Sequence, residues 1–187
     1  MSPISSRRSM NSPSNTTNSA VKIALVSLGS NLALGDLSPK ELVLSAMDGL
    51  RQISIDSHGS SLYVTEPLDC PPGSADFINA AIQLQVEAST TALGLLALLQ
   101  QIETDFGRQR GGERNQARTL DIDLISFDNQ LLESTVLTLP HPRAAQRKFV
   151  LMPLAQISPN TVLPGQSSSI VQLLDRLPDQ DNVQLLA

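Results

Sequence analysis

The chain has a single cysteine, Cys70, so no intrachain disulfide can form and the fold must be held by its core. It has no tryptophan, one tyrosine and four phenylalanines. Modules that bind single-stranded nucleic acid stack bases on aromatic side chains of a sheet, and few are available here. The excess charge also has the wrong sign for that role. Thirteen Lys and Arg against 18 Asp and Glu give a net charge of −5, whereas a phosphate backbone calls for a basic surface. No apolar run reaches the ~20 residues that cross a bilayer. Two nucleotide-binding signatures are missing too. Gly29-Ser30-Asn31 is not followed by Gly-Lys-Ser/Thr, and no Gly-x-Gly-x-x-Gly occurs. These absences point to a globular protein without nucleic-acid or membrane partner, expected to be a cytoplasmic monomer. Cys70 lies in Asp69-Cys70-Pro71-Pro72 with no histidine nearby and is not expected to act as a nucleophile.

What is present suits one domain. Apolar residues make up 41% of the 187 and charged residues 17%. Residues 1–20 are mostly Ser, Asn, Pro and Thr, with Arg7 and Arg8 and no acid. That composition cannot build a core and is expected to be a disordered tail. It also has the flavour of an organellar targeting segment, the less favoured reading. The domain proper is then 21–187.

The first strand is predicted at Val21 to Leu28, ending at the Gly29 cluster. Ser38 and Pro39 read as helix cap and first helical residue, with Glu41 in the first turn and Leu42, Ala46, Met47 and Leu50 at helical spacing. Ile53 to Thr65 reads as a strand interrupted at Ser57-His58-Gly59, which makes His58 a polar turn residue. Phe77 to Glu87 alternates as a strand does. Thr91 to Phe106 is an amphipathic helix with the stripe Leu95, Leu98, Leu99, Ile102 and Phe106, stopped by Gly107. Leu120 to Phe127 is a further strand, and Ile170, Leu173, Leu174 and Leu177 mark a short helix in a less regular tail. The order is β-α-β-β-α-β, an α+β, ferredoxin-like core with an antiparallel sheet and helices packed on it.

The chemistry concentrates between the second helix and the last core strand. Arg108, Arg110, Arg114 and Arg118 fall within one loop, and Asp121-Ile122-Asp123 follows at once. Guanidinium forks match phosphate oxygens, and paired carboxylates match Mg2+. On a strand Asp121 and Asp123 share a face, with Cα atoms roughly 6.6–6.8 Å apart. Ile122 and Leu124 turn to the other face, toward a core. The combination suggests a nucleoside triphosphate with its magnesium, under a glycine-containing loop able to close. Asn79, within an apolar strand, could read the edge of a heterocycle or satisfy nearby backbone. His141, between two prolines, could contact a ligand or make a structural hydrogen bond.

Six blocks in order then carry a resemblance. They are Leu28-Gly29-Ser30-Asn31-Leu32, Thr65-Glu66-Pro67-Leu68, Phe77-Ile78-Asn79-Ala80-Ala81, Arg118 to Leu124, Pro140-His141-Pro142-Arg143, and Phe149 to Leu154. From about Ile23 to Pro164 the chain resembles the 6-hydroxymethyl-7,8-dihydropterin pyrophosphokinases of the folate pathway. Those enzymes move the β,γ-diphosphate of ATP to the hydroxymethyl group of a reduced pterin. The resemblance implies two Mg2+ on Asp121 and Asp123, and phosphate contacts from Arg108 and Arg118, assisted by Arg110 and Arg114. It implies an ATP site along Gln100, Glu103, Ile122, Leu137, Thr138, His141 and Arg147. The pterin would lie among Thr65, Leu68, Phe77, Asn79 and Phe149, with the two phenylalanines sandwiching the ring.

Some positions depart from the common pattern. Asn115 stands where an aromatic is frequent, Gln116-Ala117 where Gly-Pro is frequent, and Glu66 where proline is frequent. A ferredoxin-like nucleic-acid module is disfavoured by the charge and the aromatic count. A catalytically lapsed homologue that only binds nucleotide or pterin is the alternative, disfavoured by the intact Asp121, Asp123, Arg108, Arg118 and Asn79.

Overall fold

The structure, a computed structural model, describes residues 21–67, 71–108, 116–178 and 182–186. The expectations for residues 1–20, Leu68, Cys70, Arg110, Arg114 and Asn115 lie outside the described residues.

Helix α1 (Pro39–Gln52) starts as its sequence dictates. The Ser38 side chain accepts from Glu41 N–H, and the Glu41 carboxylate takes the Ser38 N–H in return at 2.8 Å. Such a cap contributes about 1 kcal/mol. Helix α2 (Ala92–Asp105) is capped by Thr91, and Gly107 follows its end at φ 73, where a side chain would be strained. Both helices cover one face of the sheet. Val43, Ala46, Met47 and Leu50 from α1 and Leu95 and Leu99 from α2 meet Ala24, Val26, Leu28, Ile82 and Leu84 there. Leu98 departs from the expected stripe and is 47% exposed, because the face that α2 buries is narrower than its run of leucines.

The sheet is formed by β1 (Val21–Ser30), β2 (Asp56–Gly59), β3 (Tyr63–Thr65), β4 (Phe77–Glu87) and β5 (Asp121–Phe127). Its order is β5-β1-β4-β3, with β2 also on β4, and the pairs are antiparallel. That is the expected ferredoxin-like order. Strand β8 (Val183–Leu185), which sequence reasoning did not foresee, extends the sheet beyond β3. A small hairpin, β6 (Leu132–Glu133) and β7 (Thr138–Leu139), stands apart from it.

The second edge segment breaks later than predicted. His58 lies inside β2 opposite Gln83, so it is a strand residue and not a turn residue. The break falls at 60–62, where one extra residue is absorbed. Ser60 keeps the ladder going across it: its N–H donates to Ala81 O at 2.8 Å and its Oγ accepts Ala81 N–H at 2.9 Å.

A third layer was not predicted in full. Helix α3 (Lys148–Ile157) covers the opposite face of the sheet, joined by α4 (Ile170–Leu174). Pro153 sits inside α3, and an internal proline normally breaks a helix pattern. Burial of Val150, Leu151 and Leu154 against Leu25, Ala81 and Ile125 offsets that cost. Among the described residues no helix is long and apolar enough to cross a membrane.

Candidate active site

The site lies on the α3 face, at the end of the sheet where β1 turns away. One transverse row runs Leu185, Tyr63, Asn79, Gly29, Asp121 across β8, β3, β4, β1 and β5. Two residues along, Ala81, Ser27 and Asp123 form the next row on the same face. Small residues on β1 therefore separate the amide of Asn79 from the two carboxylates. A Cβ on Gly29 would lie 3.1 Å from Asn79 Oδ1. We expect Gly29→Ala to destabilise by about 1–2 kcal/mol, measured by thermal melting, because Asn79 is buried and must shift to admit the methyl group.

Two devices bring the remaining groups to this floor. First, the Asn31 loop holds Arg118: the N–H groups of Asn31 and Leu32 donate to Arg118 O at 3.1 and 3.2 Å, and Asn31 Oδ1 accepts Arg118 N–H at 2.9 Å. Second, β5 carries a bulge. Val26 pairs with Leu124 and Leu25 with Ser126, leaving Ile125 as the extra residue. The Ile125 carbonyl accepts the His141 N–H at 2.8 Å, which docks the Pro140-His141-Pro142 segment beside Asp123.

A cavity of about 240 Å³ results. It is lined by Ser27, Leu28, Gly29, Asp121 and Asp123, by Arg118, Arg143 and Arg147, and by Thr65, Glu66, Phe77, Asn79 and Phe149. Asn79 Nδ2 donates to Thr65 Oγ1 at 2.8 Å, so its partner is a neighbouring side chain of the site. The Arg147 guanidinium stacks over Phe149, 5.4 Å from the ring centre.

The two aspartates differ in charge environment. Burial pushes Asp121 up, but the guanidiniums of Arg118 and Arg108 outweigh it and hold the carboxyl below its usual range. Arg118 Nη1 lies 2.6 Å from Asp121 Oδ2, and Arg108 bonds both Asp121 Oδ1 and Glu103. Burial opposes the Arg108 charge, and Asp121 and Glu103 more than restore it. Glu103 is 2% exposed and also accepts the Ile122 N–H at 2.9 Å. Among the described residues no cation hydrogen-bonds Asp123 in this way. His141 Nε2 and Arg147 Nη1 are each 4.0 Å from its Oδ2. Burial, and then the neighbouring Asp121, raise it above the ordinary carboxylate value. Burial lowers His141, with Asp123 opposing, which favours the neutral imidazole. Among the described residues no group of three or more His, Cys, Asp or Glu gathers as a metal cluster.

Of the residues singled out in the sequence, Thr65, Phe77, Asn79, Arg118, Asp121, Asp123, Arg147 and Phe149 share the cavity. Arg108 joins it through Asp121, Glu103 holds Arg108 from behind, and His141 sits against Asp123. Gln100, Ile122, Leu137 and Thr138 are not among its lining residues. The Ile122 side chain faces the opposite layer, 5% exposed, since it is one residue out of step with the aspartates. Leu137 is buried in that same core. Sequence reasoning did not nominate Ser27, Gly29, Leu28, Glu66 or Arg143. Strand register with Asp123 and Asp121 could have found the first two, while Arg143 closes the Pro140-His141-Pro142 block and Glu66 carries no local signal.

Comparison with known proteins accords with this geometry. The family model described as 7,8-dihydro-6-hydroxymethylpterin-pyrophosphokinase (HPPK) matches residues 25–159. The 2-amino-4-hydroxy-6-hydroxymethyldihydropteridine pyrophosphokinase of Haemophilus influenzae is 35% identical over 168 residues, covering 87% of this chain and 97% of that one. The folic acid synthesis protein fol1 of Schizosaccharomyces pombe is 32% identical over 164 residues, covering 85% of this chain and 21% of that longer one. A crystal structure of a Plasmodium falciparum HPPK-DHPS chain shares the fold, with a TM-score of 0.65 at 12% identity, covering 86% of this chain and 44% of that one. The chain therefore belongs to the HPPK family.

Proposed function

We propose that this chain moves the β,γ-diphosphate of ATP, as a unit, to the hydroxymethyl group of 6-hydroxymethyl-7,8-dihydropterin, releasing AMP. It is an ATP-dependent pyrophosphokinase of folate biosynthesis, in keeping with its family and its curated relatives. One observation carries the assignment of roles: a single cavity joins two phenylalanines and a buried amide to two aspartates and three arginines. The first group suits a flat heterocycle and the second a polyphosphate.

On this reading Phe77 and Phe149 hold the pterin faces, while Asn79 and Thr65 meet its edge. Arg118 and Arg108 meet the transferring phosphates, with Arg147 across the site from them. Asp121 and Asp123 would hold two Mg2+. Hard oxygen donors on one strand face fit that ion, and among the described residues the cations nearest Asp123, His141 and Arg147, stand back at 4.0 Å. Bound there, Mg2+ supplies charge neutralisation for the phosphates. The chain's own contribution is positioning: the rigid rows of the sheet set the acceptor hydroxyl against the phosphate to be attacked, and such orientation accounts for much of the rate in phosphoryl transfer. Water is kept from the ring by the two phenylalanines. A monomer in the cytoplasm completes the proposal, consistent with the lone cysteine.

The test is a product assay with ATP, Mg2+ and the reduced pterin. AMP formed only with pterin present is the expected result. ADP in its place would keep phosphoryl transfer and overturn the transfer of diphosphate. Neither product, with ATP still bound in calorimetry, would favour a lapsed enzyme.

A further inference from the structure

Glu66 lines the cavity but has no part in the chemistry above. It follows β3 directly and precedes Pro67, which restricts its backbone to extended conformations. Its Oε1 accepts from Asn182 Nδ2 at 3.1 Å. Asn182 is itself oriented, because its Oδ1 accepts from Gln184 Nε2 at 2.8 Å and so turns its NH2 toward the carboxylate. Both amides flank Val183, which pairs with Thr65, and Thr65 pairs with Phe77. The outermost strand thus continues a row that carries two cavity residues. Glu66 Oε2 has no hydrogen-bond partner among the described residues, and no Lys or Arg among them pairs with Glu66. One oxygen is tethered and the other is left as an acceptor at the heterocycle end of the cavity.

We propose that Glu66 is a specificity-determining residue that accepts a hydrogen bond from the amino-bearing edge of the heterocycle, and that Asn182 is the residue that positions it. The proposal rests on the pterin reading above. A 2-aminopyrimidinone edge presents N–H donors, which a carboxylate accepts. An edge with a 2-oxo group in that place presents lone pairs instead, and a carboxylate repels it. A site built around such a bond rejects the analogue that lacks the donor far more strongly than an apolar pocket can. Residues 182–186 lie beyond the stretch matched by the family model, which ends at 159.

The test compares kcat/KM for 6-hydroxymethyl-7,8-dihydropterin with that for its 2-oxo counterpart, the dihydrolumazine, in wild type, Glu66→Gln, Asn182→Ala and the double variant. In Glu66→Gln we expect the amino-over-oxo preference to fall about tenfold or more, since the new amide can donate to the oxo group. In Asn182→Ala we expect a fall of about threefold, from a looser carboxylate. The double variant should match Glu66→Gln alone, while KM for ATP and the melting temperature stay at wild-type values. An unchanged preference in Glu66→Gln overturns the proposal. So does a loss spread equally over both heterocycles and ATP with a lowered melting temperature, which is what a purely structural role would give. Wild-type preference in Asn182→Ala removes the positioning part. A wild type that makes no pterin-dependent AMP is a separate failure, of the pterin reading itself.

Discussion

Asp123→Asn is expected to lower diphosphate transfer by roughly 10²–10³-fold, on the scale of losing one preorganised electrostatic group, and to leave the fold as stable as wild type. The two halves have one cause. Asp121 is neutralised by Arg108 and Arg118, whereas Asp123 stands beside it with His141 and Arg147 each 4.0 Å away. Without metal, a second carboxylate on the same strand face is repelled by the first. An amide of the same shape removes the repulsion and a ligand charge together. Melting of the metal-free variant at or slightly above the wild-type temperature, with turnover nearly lost, is the result to look for. Turnover within a few-fold of wild type would remove Asp123 from the metal site.

Glu103→Ala should be the most destabilising single change near the site, at about 3–5 kcal/mol, the usual cost of breaking a buried ion pair from one side. Glu103 is 2% exposed, binds Arg108 and accepts the Ile122 N–H at 2.9 Å. Its loss strands a buried backbone donor and leaves Arg108 with Asp121 as its acidic anchor. Urea unfolding would measure the change, and a melting shift on the order of 10 °C should accompany it. Glu103→Gln keeps an acceptor for Ile122 and is expected to lose about half as much. A cost below about 1 kcal/mol for the alanine variant would mean that Arg108 is held by Asp121 alone.

What was legible in the sequence was local. The Ser38–Glu41 capping box, the glycine after α2 and the alternation of Asp121, Ile122 and Asp123 depend on residues within four positions of each other. The structure reproduces each of them. What was not legible depends on distant partners. Strand β8 is three residues long and exists because β3 offers it an edge. Helix α3 contradicts its own proline and is carried by burial against the sheet. The break after β2 moved because Ser60 found Ala81 on another strand. The site divides the same way. The aspartates and arginines announce themselves by spacing, while Phe77 and Phe149 came from family resemblance, and Glu66 and Arg143 enter only once the chain is folded.

The extra residue in β5 lets one short strand keep two different phases. Up to Asp123 its odd-numbered residues belong to the site, and after Ile125 the odd-numbered Phe127 belongs to the layer beneath α1 and α2. A strand of strict alternation over the same residues could satisfy only one of these. Deleting residue 125 would leave a regular strand in which Asp121, Asp123 and Phe127 keep their faces, and would cost the site the carbonyl that bonds the His141 N–H. The ligand end and the packing end of β5 are therefore uncoupled in sequence space: substitutions that tune the fit of Phe127 need not rotate Asp121 and Asp123 out of place. The carbonyl released at the junction is the same one that fastens His141.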